Sequence, residues 1–289
     1  MYIDTFEVLE ATGVGCYVGS TFAAALGYAD DIVLLSPSIT GLQRLIDHTS
    51  HFLTDRSLLL NAKKSQFIVF RKTSFDQNCT VKLNGEQIQP IDSVNYLGHL
   101  FESNCSDAAD IQKTRIRIIS SGFQVNQALS GIRFNQKLRV LNSKVLHLYG
   151  CTTWRFDPRN FEQLNLAWRR VLKSAGGLPV RTRTRILHSM TESSTAAECI
   201  HSRNLKFLEK LSVNTNELVS QLYNYGMLDT STIIGYNLIN LARFKRLERI
   251  VPEEVTAIQE LWNLCQSPYL YVPRFTQYEL RGFLNAAIT

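Results

Sequence analysis

Residues Tyr28-Ala29-Asp30-Asp31 set two adjacent carboxylates between two strongly apolar runs, FAAALGY leading in and IVLLS following. A carboxylate is expensive to bury unless it meets a cation or hydrogen-bond donors. Paired acids on a rigid turn suit Mg²⁺ or Mn²⁺, hard ions that take oxygen ligands and leave positions for substrate phosphates. The competing reading is an ordinary polar turn, where Asp is common. Adjacent side chains of a strand point oppositely, and a tight turn relaxes that rule, so equal roles for the two acids are not assumed.

Such a turn needs a platform. The runs Phe22–Tyr28 and Ile32–Leu35 read as antiparallel strands joined at Ala29–Asp31, and Pro37 ends the second. Ser38 is the expected N-cap of a helix over 39–56, with Ile39, Leu42, Leu45, Ile46, Phe52 and Leu53 on its apolar side. A short amphipathic helix over 2–11 precedes the hairpin, and Gly13 ends it. Further strands are expected at Gln66–Phe70, across the Asn84-Gly85 turn, and over 93–101 with Gly98 allowing a bend. The first hundred residues are therefore α+β, an antiparallel sheet with helices on one face. From Asp107 onward helices are expected at 107–130, 135–150, 160–174, 183–190, 193–212, 214–226, 231–248 and 253–264, followed by an aromatic tail from Pro268. Asp157-Pro158 and Gly176-Gly177-Leu178-Pro179 read as breaks.

The net charge of +6 is unevenly placed. Residues 1–109 hold seven basic and twelve acidic side chains, residues 110–210 eighteen and six, and residues 211–289 six and seven. The surplus lies wholly in the middle third. That pattern fits a polyanion partner such as nucleic acid, or a solvated basic helical surface. No apolar run approaches the roughly 20 residues of a membrane-spanning helix, and the acidic opening MYIDTFEVLE does not read as a secretion signal. Six cysteines and six histidines never fall into a metal-finger spacing. An intracellular protein, nuclear or cytoplasmic, with reduced thiols is expected. His48 and His51 lie three apart on a helix without a third ligand nearby, and His147, His188 and His201 are expected to pack.

Tyr28–Asp31 with its flanks AAALG and IVLLSPS resembles the catalytic hairpin of reverse transcriptases of the non-LTR (LINE-type) retrotransposons. The resemblance continues in chain order. LLLNAKKSQFIVF resembles the lysine motif of that palm domain, NYLGHLF its primer-grip hairpin, and LHLYGCTTW with LAWRRVLKSAGGLP the helical region after the palm. The resemblance implies an RNA-directed DNA polymerase core. Asp30 matches the metal-binding carboxylate, with Asp31 as its supporting neighbour and Mg²⁺ or Mn²⁺ as the cofactor of an intact core. Tyr28 would lie near the primer end, and Tyr96, Leu97 and Gly98 would line the primer grip; as residues alone these three are core strand positions. Lys64, or Lys63 beside it, would approach the triphosphate, where a cation stabilises developing charge or protonates the leaving group; otherwise the pair is a solvated turn.

Arg115, Arg117, Arg133, Lys137, Arg139 and Lys144 lie on the helices that follow, where a thumb would neutralise duplex phosphates without reading bases. Arg169, Arg170, Lys173, Arg181, Arg183 and Arg185 form a second cluster, whose RTRTR spacing suggests an extended or loop segment. The expected layout is a partial palm over 1–105, a thumb-like region over 106–178 and helices of unassigned role over 179–289. The family's first catalytic aspartate strand, fingers and nucleotide-positioning helix find no match after Met1. A chain inactive alone is therefore expected, with RNA template, DNA primer or their hybrid and the missing half of the polymerase as partners. The alternatives are a non-catalytic nucleic-acid-binding remnant and a purely structural helical protein.

Overall fold

Every strand pairs with its neighbour in sequence. In the computed structural model, which describes residues 2–70, 79–146, 148–155, 157–191, 194–229 and 231–247, eight strands form four antiparallel two-stranded ribbons. These are β1 (Tyr17–Val18) with β2 (Thr21–Phe22), β3 (Ala25–Tyr28) with β4 (Asp31–Leu34), β5 (Val81–Leu83) with β6 (Glu86–Ile88), and β7 (Ser93–Tyr96) with β8 (His99–Glu102). The chain divides into two compact units, one of residues 1–106 with 215–222, the other of 107–214 with the chain from Tyr223.

The single sheet expected from sequence is thus replaced by ribbons. A hairpin needs only its own turn, whereas a sheet needs hydrogen bonds between ribbon edges. Around β3 and β4 those links are local: Leu35 N–H donates to Ala24 O at 2.7 Å and Cys16 N–H to Leu35 O at 3.2 Å. The expected strand at Gln66–Phe70 reduces to one parallel bridge between Phe67 and Pro90. Proline has no N–H to carry a ladder further. The expected strand over 93–101 is instead a hairpin: Leu97 and Gly98 both take positive φ (46° and 84°), as Asn84 and Gly85 do (52° and 82°). Two left-handed residues give the turn whose twist matches paired strands.

Two helices support these ribbons. Helix α1 (Tyr2–Ala11) brings Leu9, and α2 (Ile39–Thr54) brings Leu45, onto Ala24 and Ala25, with Phe22 and Leu34 packed alongside. Ser38 caps α2 by accepting from Gly41 N–H at 3.0 Å. The Gln43 side chain donates to Lys82 O at 2.8 Å and accepts from Lys82 N–H at 2.7 Å, pairing with β5 as a strand backbone would.

The second unit is helical: α3 (Ala108–Ala128), α4 (Phe134–Lys144), α5 (Pro158–Ala175), α6 (Thr184–Thr191), α7 (Ala196–Ser212), α8 (Glu217–Leu228, beginning within 215–222) and α9 (Ile233–Leu247). Its core gathers Ile118, Leu141, Trp154, Phe161, Trp168 and Val171. Helices α3 and α5 approach at Gly122, where an added Cβ would stand 2.4 Å from Val171 Cγ2. Asp157-Pro158, read as a break, starts α5: Asp157 accepts from Arg159 N–H at 2.8 Å and Pro158 occupies the first turn. The helix expected to run to 150 stops at Lys144. Val145, Leu146 and Leu148 are all buried, which a one-sided surface helix does not allow. A single 3-10 turn at Cys151–Thr153 follows. The helix expected at 253–264, the tail from Pro268 and His147 lie outside the described residues.

Candidate active site

The β3–β4 hairpin pairs Ala25 with Leu34, Leu26 with Val33, Gly27 with Ile32 and Tyr28 with Asp31. Alternation assigns its two faces. Ala25 and Leu34 face the core. Leu26, Val33, Tyr28 and Asp31 share the other face, on which Leu26 is 40% and Tyr28 62% exposed. The turn itself is Ala29-Asp30, one residue tighter than expected, and Ala29 takes φ of 53°. A β-carbon in the left-handed region costs roughly 1–2 kcal/mol, so packing and pairing on both strands hold a strained turn at the tip.

Both acids are exposed. Neither therefore needs a counter-ion to offset burial, and what singles them out is their chemistry and their position. They also occupy different places: Asp30 sits in the turn, while Asp31 begins β4 opposite Tyr28. Asp31 reaches the second hairpin electrostatically. The Tyr96 phenol is held above its ordinary range, first by its partial burial and then by the negative charge of Asp31. Tyr96 is the last residue of β7, directly before the Leu97-Gly98 turn, and Leu97 and Gly98 are exposed there. The charge of Asp31 is thus felt at Tyr96.

Lys64 is exposed in a turn at 62–64. Its backbone N–H donates to Asn61 O at 3.1 Å, and Ser65 N–H does the same at 3.0 Å. Neither a helix nor a strand adjoins it, so the helix-to-strand setting of the lysine motif is absent here. As ligands, Asp30 and Asp31 offer the hard oxygen donors that Mg²⁺ or Mn²⁺ takes, with remaining positions left to water and phosphate. Among the described residues no group of three His, Cys, Asp or Glu side chains gathers into a metal site.

The basic residues separate into two sets. Several are engaged within the protein: Arg169 with Glu162, Lys173 Nζ with Val180 O at 2.8 Å, Arg170 over the Phe123 ring at 6.0 Å, and Arg155 with Ser231 O at 2.8 Å. Arg115 is half-buried and donates to Gln112 at 3.2 Å. Arg115 and Arg117 flank the buried stripe of α3 on opposite sides, so they do not form one surface. Arg133, Arg139, Lys144, Arg117, Arg181 and Arg183 are exposed and Lys137 half-exposed. RTRTR is not one extended segment: Thr182 N–H turns back to Pro179 O at 2.9 Å, Arg183 precedes α6, and Arg185 lies within it. His51, paired in sequence with His48, instead meets Asp55 at 3.2 Å. The residues that sequence missed are Asp107 and Asp110, which accept from Arg155 N–H at 2.7 Å and Trp154 Nε1 at 2.8 Å. Their only sequence signal was two acids opening a basic helix.

No helix among the described residues is long and apolar enough to cross a membrane. No family model matches the chain. The chain is 32% identical over 133 residues to the retrovirus-related Pol polyprotein of a type-2 retrotransposable element of Drosophila melanogaster. That match takes in 42% of this chain and 12% of the polyprotein. Over that stretch the chain is a distant homologue of a retrotransposon Pol polyprotein, joined to a mixed architecture of small antiparallel ribbons and helices.

Proposed function

We propose that this chain carries the catalytic hairpin, primer grip and following helices of an RNA-directed DNA polymerase of the non-LTR retrotransposon type. The observation that carries the reading is the Tyr28–Asp31 hairpin with both acids exposed at its tip, in a chain 32% identical over 133 residues to a Pol polyprotein; the negative charge of Asp31 also acts on Tyr96 of a later hairpin. Asp30 and Asp31 would hold Mg²⁺ or Mn²⁺, which when bound stabilises the charge that develops at the transferring phosphate. Tyr28 and the Tyr96-Leu97-Gly98 turn hold the primer end on the outward face of the ribbon. Lys64 would supply a cation toward the triphosphate. Two carboxylates leave the site incomplete, so a further acid comes from a complementing polymerase segment. RNA template, DNA primer or their hybrid is the partner.

Primer extension on RNA, with the purified chain alone and with a complementing upstream segment supplied in trans, tests this. We expect no extension alone, extension with the complement, and its loss in D30A. Extension by the chain alone would sink the claim of an incomplete site, and complemented extension untouched by D30A would sink the site assignment. A binding remnant without chemistry would give no extension in any arm.

A further inference from the structure

Among the described residues, Cys16, Cys79 and Cys105 belong to the first unit, and Cys151 and Cys199 to the second. Far apart in sequence, these last two meet one core. Cys151 opens the 3-10 turn and is buried in the core that holds Trp154, Leu164 and Trp168. Cys199, near the start of α7, is half-buried and packs against that same core. The 3-10 turn itself packs on α7, where Ala196 and Ile200 beside Cys199 are fully buried.

Arg203 joins the two thiols. It lies one helical turn beyond Cys199, so both side chains leave the same flank of α7. From there it donates a side-chain hydrogen bond to the Cys151 sulfur. Burial pushes both thiols up, Cys151 to about 11, while the charge of Arg203 draws both back down. Glu198 adds to the rise at Cys199, and Cys199 adds to the rise at Cys151. The pair is therefore stored as protonated thiols until an oxidant reaches it. Half-buried Cys199 is the thiol that a small oxidant meets first, with buried Cys151 behind it.

We propose that Cys151 and Cys199 form a reversible oxidation site, at which hydrogen peroxide closes a disulfide between the 3-10 turn and α7. The Cys199 sulfur attacks the peroxide, an S–O bond forms, the O–O bond breaks, and the released hydroxide takes the thiol proton as water. The Cys151 sulfur then attacks the Cys199 sulfur. The S–S bond forms, the S–O bond breaks, and the leaving hydroxide takes the Cys151 proton. Two thiols lose two electrons and one peroxide becomes two waters. Arg203 stabilises the negative sulfur as each proton leaves. The inference goes beyond the polymerase reading and shares no residue with it.

Peptide mass mapping of the full chain tests it, after treatment with hydrogen peroxide, alkylation of remaining thiols and digestion without reductant. We expect a Cys151–Cys199 link within one chain, reversed by dithiothreitol. A disulfide across segments so far apart constrains the unfolded chain, so oxidised protein should melt on the order of 5–10 °C above reduced protein. C199S should lose both the link and that rise, and R203Q, which keeps both thiols, should form the link several-fold more slowly. Circular dichroism checks that each variant is folded. A link from Cys199 to Cys265 or to a second copy overturns the assignment, as does Cys199 ending as sulfinic acid with Cys151 alkylated. Oxidised and reduced protein melting together would overturn the clasp, and an unchanged rate in R203Q the role of Arg203. Primer extension reads the polymerase reading separately, so the two fail independently.

Discussion

The Trp154 indole Nε1 donates to Asp110 Oδ2 at 2.8 Å, with both side chains buried. This bond joins the irregular segment before α5 to the first turn of α3. Asn237 Nδ2 donates to Trp154 O at 2.7 Å, bringing α9 to the same point. One residue thus ties three elements through its ring, its N–H and its carbonyl. Trp154→Ala should destabilise the protein by about 3–5 kcal/mol, the range for emptying a large aromatic site. Asp110→Ala, which leaves the indole N–H without this acceptor, should cost about 1–3 kcal/mol. Urea denaturation of both variants checks the order. A Trp154→Ala midpoint equal to that of wild type would show the site able to collapse around the gap.

Ala29 holds φ of 53° in the turn that carries Asp30. Glycine adopts that angle without the clash of a β-carbon. Ala29→Gly should therefore leave the fold intact and stabilise it by up to about 1 kcal/mol, the relief of strain being partly offset by a more disordered unfolded chain. Ala29→Val should destabilise it, since a branched side chain tolerates the left-handed region less well. Thermal denaturation of the two variants reads the sign. The same ordering reversed would mean that the turn is not strained in solution.

His201 is buried on α7, and desolvation pushes its imidazole down to about 3. The unfolded chain binds that proton near pH 6.5, so between the two values the unfolded state holds more protons than the folded one. Stability from this group is full above about pH 6.5 and falls as the pH drops toward 3, on the order of 1 kcal/mol per pH unit at the steepest. Unfolding free energies at pH 7 and about pH 4.5 should differ less in His201→Leu than in wild type. Equal differences would show that other groups, not His201, set the acid response.

Elements whose determinants are local were legible in the sequence. The α2 cap needs only Ser38 and its stripe, the β5–β6 turn needs only Asn84-Gly85, and the Tyr28–Asp31 hairpin needs two apolar runs around a polar tip. Helix α1 came out at its expected bounds for the same reason. The hairpin at Leu97-Gly98 was read as one strand because leucine gives no hint of a positive φ; only pairing across the turn supplies the energy to hold it there. Likewise 145–150 continues the apolar pattern of α4. Whether Val145, Leu146 and Leu148 can all be buried depends on what surrounds them, and here they join the core built by residues of α3, α5 and α7.

The chemistry divides along the same line. Residue type and order by themselves determined the paired acids, the basic surplus of the middle third and the likeness to a polymerase palm. Only the tertiary structure decided that the charge of Asp31 acts on Tyr96, and that Arg155, Arg169, Arg170 and Lys173 are engaged within the fold. Charge is a property of the residue, but its field depends on which opposite charges and carbonyls the fold brings within a few ångströms, and that distance is set by packing between segments far apart in the chain.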